Sequence, residues 1–216
     1  METDSDTLTP LGGWLFRHRT TIPLPVAVAI LTLRVGESPQ SSALVAAGVA
    51  LTLAGELLRL WGVQHIGAIS RTRSDRLGPL VGTGPFAIVR NPLYVGNIVL
   101  WAGFAVAARL LWLVPVIVGL LGLEYHAIVR WEERLLEERL GEAYRDYAGR
   151  VPRWLPVITF NRGERKERRD KDFSARSAPS AVQRDPFSWR DTLFSERGTF
   201  VAMAVGYLLL WIKARF

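Results

Sequence analysis

The sequence predicts an all-α polytopic membrane protein with about five transmembrane or membrane-embedded helices, including a tight helical hairpin, and one cytosolic helix. Three observations support this fold class. First, 49% of the 216 residues are hydrophobic and the mean hydropathy is +0.16, although the pI is near 10.3. Second, only three of the 27 basic residues are lysine. Third, the charged residues fall between long apolar segments, a pattern typical of membrane spans bordered by basic loops.

Composition also excludes several kinds of site. The chain has no cysteine, which rules out disulfides, thiolate zinc sites and cysteine nucleophiles. His18, His65 and His126 are far apart and match no metal-ligand spacing, so we expect no metal site. The net charge of +7 raises the question of nucleic-acid binding. Because the basic residues lie at predicted membrane borders, topology explains them more simply, and we expect no nucleic-acid partner.

The first 21 residues are predicted to form an N-terminal cap and an interfacial anchor. Residues 1–10 are acidic and polar and lack the features of a signal peptide, so we expect a disordered cap. Residues 11–16 are apolar and precede the basic residues 17–19, as in a helix that lies at a membrane border. The apolar run 22–33 is short, and it spans a bilayer only if flanking residues join the helix.

The second apolar run, residues 43–62, is about long enough to cross a membrane. Its interior holds Glu56 and Arg59, three positions apart on one helical face. Charges at membrane depth are costly unless they are paired or hydrated. We therefore expect these two side chains to neutralise each other near a helix end.

Residues 93–123 contain one charged residue, Arg109, and predict a helical hairpin. The run is too long for one crossing and short for two, so we expect a tight turn near residues 107–109. The second arm is expected to continue to Val129. The last apolar run, 199–212, is either a short span or a helix lying in the membrane interface.

Positive charge predicts which side each loop occupies. The loops at 63–92 and 130–197 are rich in arginine, whereas the connection 36–42 has only Glu37. By the positive-inside rule, the arginine-rich loops and the N-terminus are cytosolic, and the 36–42 loop and hairpin tip lie on the far side. The arginine and alanine bias further suggests a multi-pass protein of a bacterial inner membrane.

Residues 162–172 are almost entirely charged, with both signs mixed. Such a run cannot bury enough apolar surface to fold alone. We therefore divide the chain after its N-terminal cap into a membrane core at 22–160, a charged cytosolic linker at 161–190 and a C-terminal membrane-associated helix at 191–216.

One candidate site is the segment 78–94, in which glycine and proline are dense before Pro92 opens the hairpin helix. Glycine and proline free backbone groups from helical bonding, and at membrane depth this is tolerated only beside protein or a wet cavity. Those groups suit a polar ligand, although a plain re-entrant connection is the alternative. The Gly82-Thr83-Gly84 sequence follows no strand and precedes Pro85, which argues against a dinucleotide-binding turn.

A second candidate is Glu132, on a helix predicted at 130–148. The helical period places Glu132 beside an apolar stripe, while Glu133 falls toward another side. The Glu132 carboxylate should face protein, where it needs a cationic partner or the ammonium of a ligand to stay ionised. A partner arginine is the alternative to a ligand.

Together, these stretches resemble the isoprenylcysteine carboxyl methyltransferase family and related phospholipid methyltransferase-like membrane enzymes, which use S-adenosylmethionine. The resemblance covers about 100 of the 216 residues. It is carried in order by residues 55–59, 80–86, 89–94, 132–133, 141–147 and 151–156.

The resemblance implies that S-adenosylmethionine contacts the loop before the hairpin, the start of the hairpin helix and a later glutamate. By position, these residues are Gly78, Pro79, Leu80, Val81, Phe86, Asn91, Pro92, Leu93, Tyr94 and Glu132. Arg130 is the nearest candidate for the substrate-side arginine of the family, whose position here is occupied by Ile128. Asn91 stands where relatives have histidine and cannot be protonated, and Arg71 stands where relatives often have glutamine.

These observations predict transfer of a methyl group from S-adenosylmethionine to a lipophilic substrate, a carboxylate or a lipid-like head group, at the cytosolic side of a membrane. The expected partners are a lipophilic small molecule or lipidated substrate and membrane lipids. No residue is assigned to the catalytic step itself. The alternatives are an NADPH-dependent membrane reductase of related fold and a membrane scaffold without catalytic activity.

Overall fold

In a computed structural model, residues 8–67, 80–156 and 188–215 are described. Within these ranges every regular element is helical, which confirms the all-α prediction. Residues 1–7, Gly78 and Pro79, and most of the charged linker lie outside the described residues. The helices are α1 (Leu8–His18), α2 (Leu24–Thr32), α3 (Ser42–Ile66), α4 (Pro92–Ala107), α5 (Leu113–Leu140), α6 (Glu142–Arg150) and α7 (Trp189–Lys213), with a 3-10 turn at Gly84–Ala87.

In the part of the chain that the structure describes, three helices, α3, α5 and α7, are long and apolar enough to cross a membrane, and α4 is a shorter apolar helix. The chain is thus an all-α integral membrane protein. The last apolar run was predicted as a short span or an interfacial helix. It belongs to the 25-residue α7, which begins ten residues earlier than the run and has the length of a full span.

The hairpin turns where the sequence predicts it. Helix α4 ends at Ala107 and α5 begins at Leu113. Arg109 takes a positive φ of 63° in the turn, and its backbone N–H donates to the Val106 carbonyl at 2.9 Å. The two arms are therefore joined by a short connection, as an antiparallel helix pair requires.

The predicted boundary after Val129 is wrong, as is the separate helix at 130–148. Helix α5 continues without a break to Leu140, and the break comes at Gly141, which has a φ of 56°. Glycine adopts this left-handed conformation without the steric cost that other residues meet, and it commonly ends a helix. Helix α6 then begins at Glu142.

Helices α3 and α4 pack closely in antiparallel orientation through small residues. Gly55 lies against the Gly96 backbone, and Gly48 lies against Ala107 at the other end of α4. Gly103 lies against Thr52. Small residues let helix backbones approach closely, which is how helices in a membrane gain van der Waals contact. This packing sets the position of the first turn of α4 beside the last turns of α3.

The remaining helices pack around this pair. Gly12 of α1 lies against Ala127 of α5, and the Phe16 ring packs on Trp131 with 5.0 Å between ring centroids. On α7, the Tyr207 hydroxyl forms a 2.7 Å hydrogen bond with the Thr52 hydroxyl. Both α1 and α7 are thus part of the same packed core.

At one end of the bundle, the connection after α2 contacts the hairpin tip. Glu37 forms ion pairs of 2.8 Å with both Arg109 and Lys213, and the Trp112 ring N–H donates to the Val35 carbonyl at 3.0 Å. The Arg109 carbonyl accepts from the Ser38 N–H at 2.9 Å. The two connections that were predicted to share one side of the membrane therefore lie together.

The close approach of α3 and α4 predicts that Gly55→Leu destabilises the protein. A Cβ at this position would lie 2.6 Å from the Gly96 carbonyl oxygen, so the helices must separate. We expect the free energy of unfolding to fall by roughly 1–3 kcal/mol or more, as is typical when extra atoms are forced into a packed interface. The measurement is the midpoint of thermal unfolding in detergent.

Gly119→Leu on α5 is the matched control, because a Cβ there meets nothing within 4 Å. Equal unfolding midpoints for the two variants would contradict the proposed role of Gly55.

Candidate active site

A cavity of about 900 Å³ begins at the end of the bundle opposite the hairpin tip and extends along the helices to Phe104 of α4 and Leu209 of α7. It is formed by the end of α3 and by much of α4 and α7, with α5 and α6 closing one side and α1 and α2 another. Its volume is near the upper end of the range for small-molecule sites, roughly 300–1,000 Å³. The cavity is therefore large enough to hold more than one small ligand.

Most of the residues that the resemblance assigned to the cofactor line this cavity. They come from the loop before α4, from the first turn of α4 and from the second half of α5. They are Leu80, Val81, Phe86, Asn91, Pro92, Leu93, Tyr94 and Glu132. Gly78 and Pro79 lie outside the described residues. Arg130 is exposed and is not among the lining residues, so a substrate contact by Arg130 stays a prediction.

The loop before α4 is shaped by its glycine and prolines. Gly84 has a φ of 58° and lies so close to the His65 ring that a Cβ would overlap it. The following turn buries Pro85 and Phe86. Pro92 occupies the first turn of α4, as the sequence predicts. The result is a stretch of irregular backbone at the wall of the cavity.

Glu132 points into the cavity, as its place beside the apolar stripe predicts. Its carboxylate accepts a 3.0 Å hydrogen bond from the Tyr94 hydroxyl, and the Tyr94 ring packs on Tyr125 with 4.7 Å between centroids. This contact uses one of several acceptor positions on the carboxylate. Glu132 thus has a fixed orientation and further capacity to bind a donor in the cavity.

Glu133 also lines the cavity, so the prediction that it faces another side is wrong. Its carboxylate pairs with Arg90 at 3.1 Å and receives two hydrogen bonds from Arg153, of 3.0 and 2.6 Å. The reason is that residues 151–156, after α6, return to this face of α5, where their arginine meets Glu133. Helical periodicity describes one helix and carries no signal for this return.

The returning segment is joined to the start of α4 by two further hydrogen bonds. The Arg90 N–H donates to the Pro152 carbonyl at 2.8 Å, and the Asn91 side-chain amide donates to the Arg153 carbonyl at 3.1 Å. Asn91, at the position where the resemblance implies a histidine, therefore holds two segments of the cavity wall together. A neutral amide donor suffices for this contact.

Two tyrosines of α6 complete this wall. The Tyr147 hydroxyl donates to the Phe86 carbonyl at 2.8 Å. Burial, together with the nearby Glu133 carboxylate, raises the pKa of Tyr144 to about 12. The hydrogen bond to Glu133 likewise raises the pKa of Arg153. At neutral pH the wall therefore consists of protonated phenols and a charged arginine.

Arg90 also lines the cavity. Its Nε–H is buried and has no hydrogen-bond partner among the described residues, although its terminal nitrogen pairs with Glu133. A buried donor without a partner costs about 1–3 kcal/mol. Arg90 and Glu132 thus place a cationic donor and a carboxylate on one cavity, which suits a ligand carrying both charges.

A second polar group lines the cavity around Arg59. The predicted pair forms, with 3.0 Å between Arg59 and Glu56, but Arg59 also binds Glu196 of α7 at 2.7 Å and the Asn97 side chain. Sequence reasoning missed Glu196, because it lies 137 positions from Arg59. Within the described ranges, no group of three or more His, Cys, Asp or Glu has the arrangement of a metal site.

Comparison with known proteins identifies similar chains. The family model described as phospholipid methyltransferase matches residues 43–143. The nickel-cobalt-cadmium resistance protein NccN of Alcaligenes xylosoxydans xylosoxydans is 32% identical over 162 residues, which covers 72% of this chain and 73% of that protein. The cobalt-zinc-cadmium resistance protein CzcN of Cupriavidus metallidurans is 30% identical over 163 residues, with 71% of each chain covered. These names refer to metal resistance and state no reaction.

The Glu133 network predicts that Glu133→Gln loosens the segment 151–156. The neutral amide cannot hold two arginines, so the Arg90 N–H to Pro152 bond should open more often. We expect the free energy of local opening of this segment to fall by about 1–3 kcal/mol, since the Glu133 ion pairs are only partly buried. Hydrogen exchange measured by mass spectrometry on peptides spanning Arg90 and Pro152 should become faster.

Glu138→Gln is the control for this measurement. Glu138 pairs with Arg134 on the exposed side of α5, where such pairs contribute little. Unchanged exchange at Arg90 in Glu133→Gln would show that the network does not hold the segment.

Proposed function

Because this chain belongs to the phospholipid methyltransferase family of membrane methyltransferases, we propose that it uses S-adenosylmethionine to methylate a lipophilic substrate at the cytosolic side of a membrane. The substrate class is a carboxylate or a lipid-like head group. The observation that carries the proposal is the single cavity that Glu132, Arg90 and Phe86 line together.

The groups in this wall match the parts of the cofactor. The Glu132 carboxylate suits the methionine ammonium, and the Arg90 donor suits the methionine carboxylate. The apolar side chains of Leu80, Val81 and Phe86 suit the adenine ring, as in other small-molecule sites. When bound, the cofactor would supply a methyl group that is already activated on a sulfonium sulfur.

The residues of the chain then have three tasks in this proposal. Tyr94 holds the Glu132 carboxylate in place through its 3.0 Å hydrogen bond. The segment at Arg153, closed onto Arg90 and Asn91, limits access of water to the wall. The apolar remainder of the cavity positions the substrate. Orientation and exclusion of water are the main requirements for such a transfer, and a carboxylate nucleophile needs no base.

The cytosolic orientation of the cavity rests on charge. Seven arginines lie just before α4, in the last third of α5, in α6 or just after it, at positions 90, 130, 134, 139, 145, 150 and 153. The opposite end, where Glu37 lies, carries fewer, namely Arg34, Arg109, Lys213 and Arg215. The positive-inside rule then favours the cytosol for the cavity end, where a soluble cofactor is available. We further propose a bacterial inner membrane as the location.

The central experiment measures ligand binding to the purified protein in detergent. We expect isothermal titration calorimetry to detect binding of S-adenosylmethionine, and thermal unfolding to be shifted upward by S-adenosylmethionine and not by NADPH. A shift with NADPH alone would favour a membrane reductase. Binding of neither compound would favour a scaffold without catalytic activity. Lipid extracts incubated with the protein and methyl-tritiated cofactor should gain radioactivity in the organic phase.

Glu132→Ala should weaken binding of S-adenosylmethionine. Loss of a charge-assisted hydrogen bond costs about 1.5–3 kcal/mol, which corresponds to roughly a ten- to hundredfold higher Kd. Calorimetry with the variant checks this value. Glu138→Ala on the exposed side of the same helix should bind like the unmodified protein. Equal Kd values for both variants would remove Glu132 from the site.

A further inference from the structure

Helix α7 lies outside the segment that matches the family, yet it forms part of the cavity. The family match ends at residue 143, and α7 begins at Trp189. Its lining residues include Thr199, Ala202, Met203 and Leu209. The candidate cofactor wall, in contrast, is built from α4, α5, α6 and the loops beside them. The cavity therefore has a second side whose residues the family match does not cover.

Helix α7 is held along its whole length. Near its start, Glu196 is 1% exposed, pairs with Arg59 at 2.7 Å and accepts from the Thr199 hydroxyl at 2.9 Å. In its middle, Tyr207 binds Thr52 and stacks on Phe104 with 4.7 Å between centroids. These contacts make α7 a fixed wall of the cavity.

The end of α7 is held equally firmly. Lys213 pairs with Glu37 at 2.8 Å, and its ammonium donates to the Ile30 carbonyl of α2 at 3.1 Å. Helices α2 and α7 are thus joined at Lys213, and the cavity lies between them as far as Leu31 and Leu209.

The side of the cavity between α2 and α7 is apolar. Helix α2 contributes Leu24, Ala27 and Leu31, and α7 contributes Ala202 and Leu209. Two charged groups near this side, Arg59 and Glu196, are paired with each other, and Arg19 lines the cavity just before α2 begins. A ligand in this space would meet mainly methyl and methylene groups, and burial of an alkyl chain gains roughly 0.8 kcal/mol per CH₂.

Space and access both favour a chain-like ligand here. A Cβ on Gly198 meets nothing within 4 Å, and Ala202 is an exposed small side chain on the same face. Leu24 and Leu209, which line the cavity, are 57% and 40% exposed. The compartment therefore opens at the surface of the apolar helices, where the bilayer would lie.

We propose that α7 is the substrate-side wall of the cavity and that the aliphatic chain of the substrate lies between α7 and α2, with Ala202 setting the room available to it. This inference rests on the proposed function, because it takes the opposite wall as the cofactor side. It assigns substrate selection to a helix beyond the matched family segment, and cofactor binding to the wall near Glu132.

The test uses palmitic acid carrying a mid-chain diazirine, with the full-length protein in detergent. After irradiation, we expect mass spectrometry to find label at Leu31, Ala202 or Leu209. Ala202→Trp should abolish that label, because the indole fills the compartment. Label on the outer face of α7, at Leu208 and Trp211, should persist and serves as the internal reference.

Ala204→Trp is the matched control, because Ala204 is exposed on the same helix and does not line the cavity. It should keep the cavity label. Ala202→Leu, a smaller change, should reduce the label partly and covers the case in which the tryptophan variant does not fold. Equal cavity labelling in Ala202→Trp and Ala204→Trp would overturn the inference.

Calorimetry separates this inference from the proposed function. Ala202→Trp should bind S-adenosylmethionine with unchanged Kd while methyl transfer to the lipid extract is lost. If the unmodified protein binds no S-adenosylmethionine, the proposed function fails, whereas the labelling pattern still tests the chain compartment. If Ala202→Trp loses cofactor affinity but folds, α7 does not act on the substrate side alone.

Discussion

A charge in the hydrocarbon core is costly unless it has a partner, and this constraint organises the protein. Translocon scales assign roughly 2.5–3.5 kcal/mol to one charged residue at the centre of a membrane helix. Arg59 on α3 meets this requirement with Glu56 on its own helix and with Glu196 on α7. If either Glu56 or Glu196 were removed, the positive charge of Arg59 would be only partly neutralised. The pairing therefore ties α7 to the core across the long linker.

Similar ion pairs join other distant parts of the chain. Glu133 connects the end of α5 to Arg90 before α4 and to Arg153 after α6. Glu37 connects the loop after α2 to the hairpin tip and to the end of α7. Each network lies at a helix end or at the cavity, where α helices leave polar groups to be satisfied. Apolar packing, by contrast, accounts for the long contact between α3 and α4.

Much of the fold could be predicted because apolar length and helical period are properties of short stretches. The span containing Glu56, the turn at Arg109 and the opening of α4 at Pro92 were all visible in the sequence. The inward direction of Glu132 was visible for the same reason, since it depends on its neighbours within a few turns. The helix end at Gly141 was missed because the apolar pattern continues across it, and only the left-handed backbone of the glycine breaks the helix.

The sequence by itself determined the helical membrane fold, the hairpin and the segments from which the candidate site is built. Only the tertiary structure decided that Glu133 faces the cavity, that Asn91 holds the Arg153 segment, and that α7 supplies a wall through Glu196. The physical reason is separation along the chain. A periodic pattern reports which side of one helix is apolar, whereas an ion pair between residues 137 positions apart depends on how whole helices dock.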